Sequence, residues 1–260
     1  MPSISAVTPT VCRLMGVFPP KDSSAEPIPE VLELCSRTYR GKADRVLLYA
    51  PDALSVWLYE RYKALYTPIN AIAPLRVPMR SVMPTKTPVC YASMFTGAQP
   101  EVHGIRKPER PVLTCDTLFD ALARAGRQVA IAAVKGSSID LIFRNRKITY
   151  FTEEYDPQVN DRVLKILSDF DFILAYNQEY DDLMHGSTPT SPQAVEALKR
   201  HIGSFRALGE AYANTVRGNR VIGFVPDHGT HIDPVSGKGT HGTDSPEDMN
   251  VYHFWGAYKG

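Results

Sequence analysis

The sequence predicts an α/β chain, a three-layer α/β/α sandwich around a mainly parallel sheet. Three observations carry that reading. Apolar runs of strand length recur along the chain, segments of helical periodicity separate them, and the 21 prolines and 17 glycines fall mostly between these segments, where turns belong. With 43% hydrophobic residues over 260 positions there is enough apolar side chain for one large domain. We expect residues 1–260 to form it, with an irregular segment over 1–28.

Taken in order, RVLLYA (45–50) is a strand apolar on both faces, and Asp52 follows it. LRVPMRSVMPTK (75–86) is a second strand, leading to Thr87 at the start of a short apolar stretch. TLFDALARAG (117–126) puts Leu118, Phe119, Leu122 and Ala125 on one helix face and stops at Gly126. QVAIAAV (128–134) and DFILAY (171–176) are buried strands, the second followed by Asp181 and His185. The longest helix has Ser191 as N-cap and Pro192 in its first turn. Val195, Leu198, Ile202, Phe205, Leu208 and Tyr212 share one of its faces, and Gly218 suits its end. RVIGFV (220–225) leads to Asp227 and His228, and a glycine-flanked His241 precedes a final apolar stretch.

Charge and composition exclude several classes. Lys and Arg number 29 against 28 Asp and Glu, so no basic excess or block marks a nucleic-acid polymer as partner. No run of 18 apolar residues suggests a membrane span, and the first residues lack the basic-then-apolar pattern of a leader. The four cysteines are widely spaced, without a CxxC pair. A cytoplasmic protein acting on a small molecule is expected.

Open parallel sheets bind ligands beyond the carboxyl ends of their strands. Gathered there, Asp52, Asp181 and Asp227 with His185, His228 and His241 would make an oxygen-and-nitrogen metal site, suited to zinc or manganese. Two ions fit six such ligands better than one, and a two-metal phosphoryl-transfer site holds them roughly 3.5–4 Å apart. Thr87 lies at a helix N-terminus, where the dipole favours an anion; its hydroxyl either attacks a phosphate or caps the helix. Each residue also has a plain structural reading: Asp52 as a helix cap, Asp181 and His185 as a solvated helix face, Asp227 and His228 as part of a turn.

Five islands occur together in one order: LLYAPDAL (47–54), PTKTPVCYASMFTGAQPEVHGI (84–105), DDLMH (181–185), PDHG (226–229) and THGTD (240–244). In that order, over residues 46 to about 256, the chain resembles the alkaline phosphatase superfamily. Within it, the chain looks closest to the nucleotide pyrophosphatase/phosphodiesterase and phosphonoacetate hydrolase branch. The resemblance implies one divalent ion on Asp52, Thr87, Asp227 and His228 and a second on Asp181, His185 and His241, and the imidazole and carboxylate donors put zinc ahead of manganese. It further implies that Thr87 is the nucleophile and passes through a phosphothreonine. The branch's asparagine after the HGI element is absent from HGIRKPERP, and Arg106 or Lys107 is expected to contact the phosphate in its place. CYASM after Thr87 lacks the sulfatase pattern. The expected activity is hydrolysis of a small phosphorylated molecule, with diester or pyrophosphate ahead of monoester. The alternatives are a phosphonate hydrolase and a non-catalytic metal- or anion-binding module.

Overall fold

The computed structural model describes residues 1–260. Nine strands are present: β1 (Arg45–Pro51), β2 (Leu75–Arg80), β3 (Val129–Val134), β4 (Thr149–Glu153), β5 (Phe172–Asn177), β6 (Arg220–Phe224), β7 (His231–Ile232), β8 (Gly239–Thr240) and β9 (Asn250–Tyr258). Seven form one sheet in the order β2-β9-β6-β1-β5-β3-β4, while β7 and β8 pair separately. Within the large sheet every neighbouring pair is parallel except those made by β9, which runs antiparallel to β2 and β6.

The three-layer arrangement follows from where the strand side chains go. Alternate residues of β1 enter different cores: Val46, Leu48 and Ala50 one, Leu47 and Tyr49 the other. The first core is closed by the helices Val7–Met15, Thr87–Thr96 and Leu118–Arg124. The second is closed by Asp156–Ile166 and the long helix Pro192–Thr215. Local signals work as their chemistry dictates. Thr117 and Asp120 form a capping box, and Ser191 accepts a hydrogen bond from the Ala194 N–H. The long helix ends at Thr215, three residues before Gly218. Gly218 (φ +86°) instead turns the chain beside Asp44, whose Oδ2 would lie 2.7 Å from an added Cβ.

Two expectations change. The N-terminal segment is irregular only over residues 1–3 and 16–28, because a 3-10 turn (Ile4–Ala6) and the helix Val7–Met15 lie between them. Of that helix only Arg13 is outside the core, so Thr8 and Thr10 are buried with the apolar side chains. Pro9 sits in the first turn, where its missing N–H costs nothing, and the Thr8 hydroxyl donates to Met94 O at 2.7 Å. The second strand stops at Arg80, leaving residues 81–86 as a loop that carries Thr87 to the centre of the sheet. No helix is long and apolar enough to cross a membrane.

Candidate metal centre

The three central strands end level with one another. Pro51 of β1 lies opposite Asn177 of β5, and Tyr49 opposite Phe224 of β6. Asp52 is the first residue out of β1, Asp227 and His228 leave β6, and the helix Glu179–Gly186 starts just beyond β5 with Asp181 and His185 one turn apart. Parallel pairing therefore brings to one edge residues that are far apart in the chain.

Asp52, Asp227 and His228 are fully buried. His228 Nε2 is 3.4 Å from both Asp52 Oδ1 and Asp227 Oδ2, and the Tyr176 hydroxyl donates to Asp52 Oδ2 at 2.5 Å. Thr87 opens its helix but makes no capping bond there. Its Oγ1 is turned into this group instead, 3.5 Å from Asp52 Oδ1 and 3.3 Å from His228 Nε2. Asp52 is equally free of capping, since Ser55 accepts from Leu58 N at the next helix.

Asp181, His185 and His241 form a second group. Asp181 Oδ1 is 3.4 Å from Nε2 of each histidine, and the two Nε2 atoms are 3.0 Å apart. The His241 ring stacks on His228 with centroids 4.0 Å apart, so the groups are contiguous.

The hydrogen bonds on the far side of each imidazole fix its protonation. Nδ1 of His185, His228 and His241 lies 3.1, 2.9 and 2.6 Å from the carbonyl oxygens of Gly239, Gly229 and Thr85. A carbonyl only accepts, so Nδ1 carries a proton, and in the neutral ring Nε2 points a lone pair into the cluster. Facing lone pairs, as on His185 and His241, call for a cation between them. So do Asp181 Oδ1 and Asp227 Oδ2, which are buried without a hydrogen-bond partner. Burial pushes the Asp52 and Asp227 carboxyls well above the usual carboxylate range, and neighbouring carboxylates add to it. Burial, with His241 alongside, holds His228 well below the usual imidazole value. Burial would raise Asp181 too, but His185 and His241 hold it below its ordinary value, and the Asp181 carboxylate beside it raises His185. Such donors fit two divalent ions, one for each group of three, within which the ligand atoms lie within 4.8 Å of one another.

A polar cleft of about 120 Å³ opens over Asp52, Thr87 and Asp181. Arg110, Lys135, Ser138 and Gln178 line its walls, and Tyr176 is its one hydrophobic residue. Arg106 and Lys107 are not among the lining residues. Both are exposed; Arg106 donates to Glu101 O at 3.1 Å, and Lys107 pairs with Glu109 at 2.7 Å. The chain from residue 104 to 117 has no helix or strand, and of its cations Arg110, donating to Gly136 O at 3.0 Å, is the one that lines the cleft.

The other histidines serve the framework. His103 bonds Ser93 and Ile105 N, His201 accepts from Tyr180 N, His253 donates to Pro226 O, and His231 meets Asp248. Tyr91 and Phe95 stack on each other, fully buried. Arg144 and Arg146 are tied to Asp140 and Asp120.

Comparison with known proteins bears on the fold and the family. No curated protein matches the chain. Among solved structures, phosphonoacetate hydrolase from Sinorhizobium meliloti 1021 in complex with phosphonoformate shares 18% identity with a TM-score of 0.52. An inactive variant of murine ectonucleotide pyrophosphatase/phosphodiesterase 5 in complex with AMP shares 18% at 0.55, and the human protein 21% at 0.53. Each alignment covers 72% of this chain and 57% of the other, so the chain spans less than two thirds of these structures' length. At such identity the likeness is one of fold. The family profile for type I phosphodiesterase / nucleotide pyrophosphatase matches residues 69–243, a stretch holding Thr87, Asp181, His185, Asp227, His228 and His241. The chain belongs to the type I phosphodiesterase / nucleotide pyrophosphatase family.

Proposed function

We propose that this protein is a two-metal hydrolase of small phosphorylated molecules with Thr87 as nucleophile. The observation carrying this reading is the direction of the Thr87 hydroxyl, away from its own helix and into the group formed by Asp52, Asp227 and His228. Zinc or manganese ions on the two groups would lower the pKa of a bound hydroxyl and balance the charge of a phosphoryl group. Thr87 Oγ1 then attacks phosphorus from the floor of the cleft as the leaving oxygen departs on the opposite side. A phosphothreonine forms, and water releases phosphate by a second in-line attack. Two inversions give net retention. The amino end of the ten-residue helix stabilises the developing negative charge at Thr87. Arg110 and Lys135, on the walls, take the place assigned above to Arg106 and Lys107 as partners for the substrate's anionic oxygens. Four free cysteines, three of them buried, support a reducing, cytoplasmic location.

The cleft favours a second reading for the substrate. It is small against the roughly 300–1,000 Å³ usual for larger ligands, and it offers no aromatic face besides Tyr176. A compact phosphomonoester or phosphonate fits better than a nucleotide ester. The test is metal analysis of the purified chain together with turnover of nitrophenyl phosphate, the thymidine nitrophenyl diester and phosphonoacetate. We expect about two metals per chain, and turnover of the monoester or the phosphonate above the diester. Arg110→Ala should raise KM for the preferred substrate about tenfold. Diester preference would return the substrate to the nucleotide class. Two bound metals with no turnover of any substrate would make the protein a metal-binding module.

A further inference from the structure

Asp248 belongs to neither group of ligands, yet its side chain touches the segments that hold both. It lies in the short helix Pro246–Met249 and is completely buried. Its Oδ2 accepts from Gly242 N and Thr243 N, both at 2.9 Å, and from Thr243 Oγ1 at 2.8 Å, with Thr85 Oγ1 at 3.5 Å. Its Oδ1 is 2.7 Å from His231 Nδ1, and its backbone oxygen accepts from Gly229 N at 2.7 Å. Three stretches of chain meet there: the residues just after His241, those just after His228, and Thr85, two before Thr87.

Geometry at each of these points is tight. Gly242 has φ +132°, which an L side chain rarely adopts, and an added Cβ at Gly229 would meet Glu247 O at 2.0 Å. Thr85 donates to Thr243 O at 3.1 Å, and Thr85 O receives the His241 Nδ1 proton at 2.6 Å. His241 is therefore aimed by Thr85, and the two loops that carry them are clamped together by one carboxylate. A carboxylate suits the position best: one oxygen faces two N–H groups and a hydroxyl while the other faces the His231 imidazole, and an amide would lose the charge and keep both contacts only with His231 in the tautomer whose Nδ1 accepts.

We propose that Asp248 is a positioning residue that holds the loop at residues 241–243 so that His241 completes the ligand group with Asp181 and His185. The inference rests on the two-metal reading of those residues. It is tested by titrating the metal-free full-length protein with cobalt(II) and zinc, following the cobalt visible spectrum and stoichiometry. Asp248→Asn should leave one metal bound as in the parent and weaken the other by about 10- to 100-fold, with the cobalt spectrum of that second site altered. Turnover should then return toward the parent kcat as zinc is raised. Thr243→Val, which keeps the backbone bonds and removes one hydroxyl, should weaken the same site by a few fold. It serves if Asp248→Asn does not fold. His231→Gln, which leaves Oδ2 untouched, should bind both metals within about threefold of the parent. Parent-like affinity at both sites in Asp248→Asn or Thr243→Val, even with a lowered melting temperature, would reduce Asp248 to a structural role and overturn the proposal. Because metal binding is read without turnover, failure of the hydrolase reading would show separately, as two parent-like metals and no reaction.

Discussion

The two groups of candidate ligands offer similar donor atoms from unlike positions. Asp52, Asp227 and His228 come straight off adjacent parallel strands and are at most 1% exposed. Asp181, His185 and His241 stand on a two-turn helix and a loop at the cleft rim, and the His185 side chain is 40% exposed. The first group is held by the sheet itself. The second needs outside support, from Gly239 and Thr85 on its imidazoles and from Asp248 on its loop. A ligand group built into strand ends is preorganised by the fold, whereas one at the rim depends on hydrogen bonds that a single substitution can remove.

The largest expected effect tests whether the buried group is the reactive one. Thr87→Ala should cut kcat by on the order of a thousandfold or more, with metal content near that of the parent by elemental analysis. Equal activity in the variant and the parent would remove the nucleophile from Thr87.

A second prediction contrasts the groups through exchange. Under a chelator, the rim metal should leave at least about tenfold faster than the buried one, giving a one-metal stage in a time course. Asp227→Ala should reverse that order. It should also relieve the crowding of carboxylates, so that the metal-free variant melts at or above the metal-free parent while zinc raises its melting temperature less. Simultaneous loss of both metals from the parent would erase the distinction drawn here.

The smallest effect concerns how the rim helix is held. His201 accepts the Tyr180 N–H at 3.2 Å and lies 3.0 Å from the Tyr49 hydroxyl. Burial, with Arg200 nearby, pushes its pKa down to about 3 from an ordinary 6.5. A depressed value means that stability is fully present above about 6.5 and is lost as pH falls toward 3, by up to ~1.4 kcal/mol per unit. Asp156, raised to about 6 by burial, acts with the opposite sign between its ordinary value and 6. Urea melts of His201→Gln should therefore fall less steeply between pH 6.5 and 4 than those of the parent. Identical slopes would show that His201 does not titrate between the two states.

Much of this was readable before any coordinates. The apolar runs at 45–50, 128–134, 171–176 and 220–225 became strands within a residue or so, because a strand buried on both faces needs no partner pattern to be recognised. The candidate ligands Asp52, Asp181, His185, Asp227 and His228 were picked out because each comes after an apolar run, and His241 because glycines flank it. The N-terminal helix was missed because Pro9 and its β-branched Val and Thr residues read as poor helix formers, and Arg110 because a loop without regular structure has no period to count along.

By itself the sequence determined the local elements and the supply of carboxylates, imidazoles and one hydroxyl at strand ends, since propensity, caps and periodicity act over a few residues. Tertiary structure alone decided that Thr87 faces Asp52 and His228 rather than its own helix, that carbonyls of Gly239, Gly229 and Thr85 set the histidine protons, and that Asp248 joins the loops. Most of these contacts join residues distant in the chain, and only the folded backbone brings such groups within a hydrogen bond of one another.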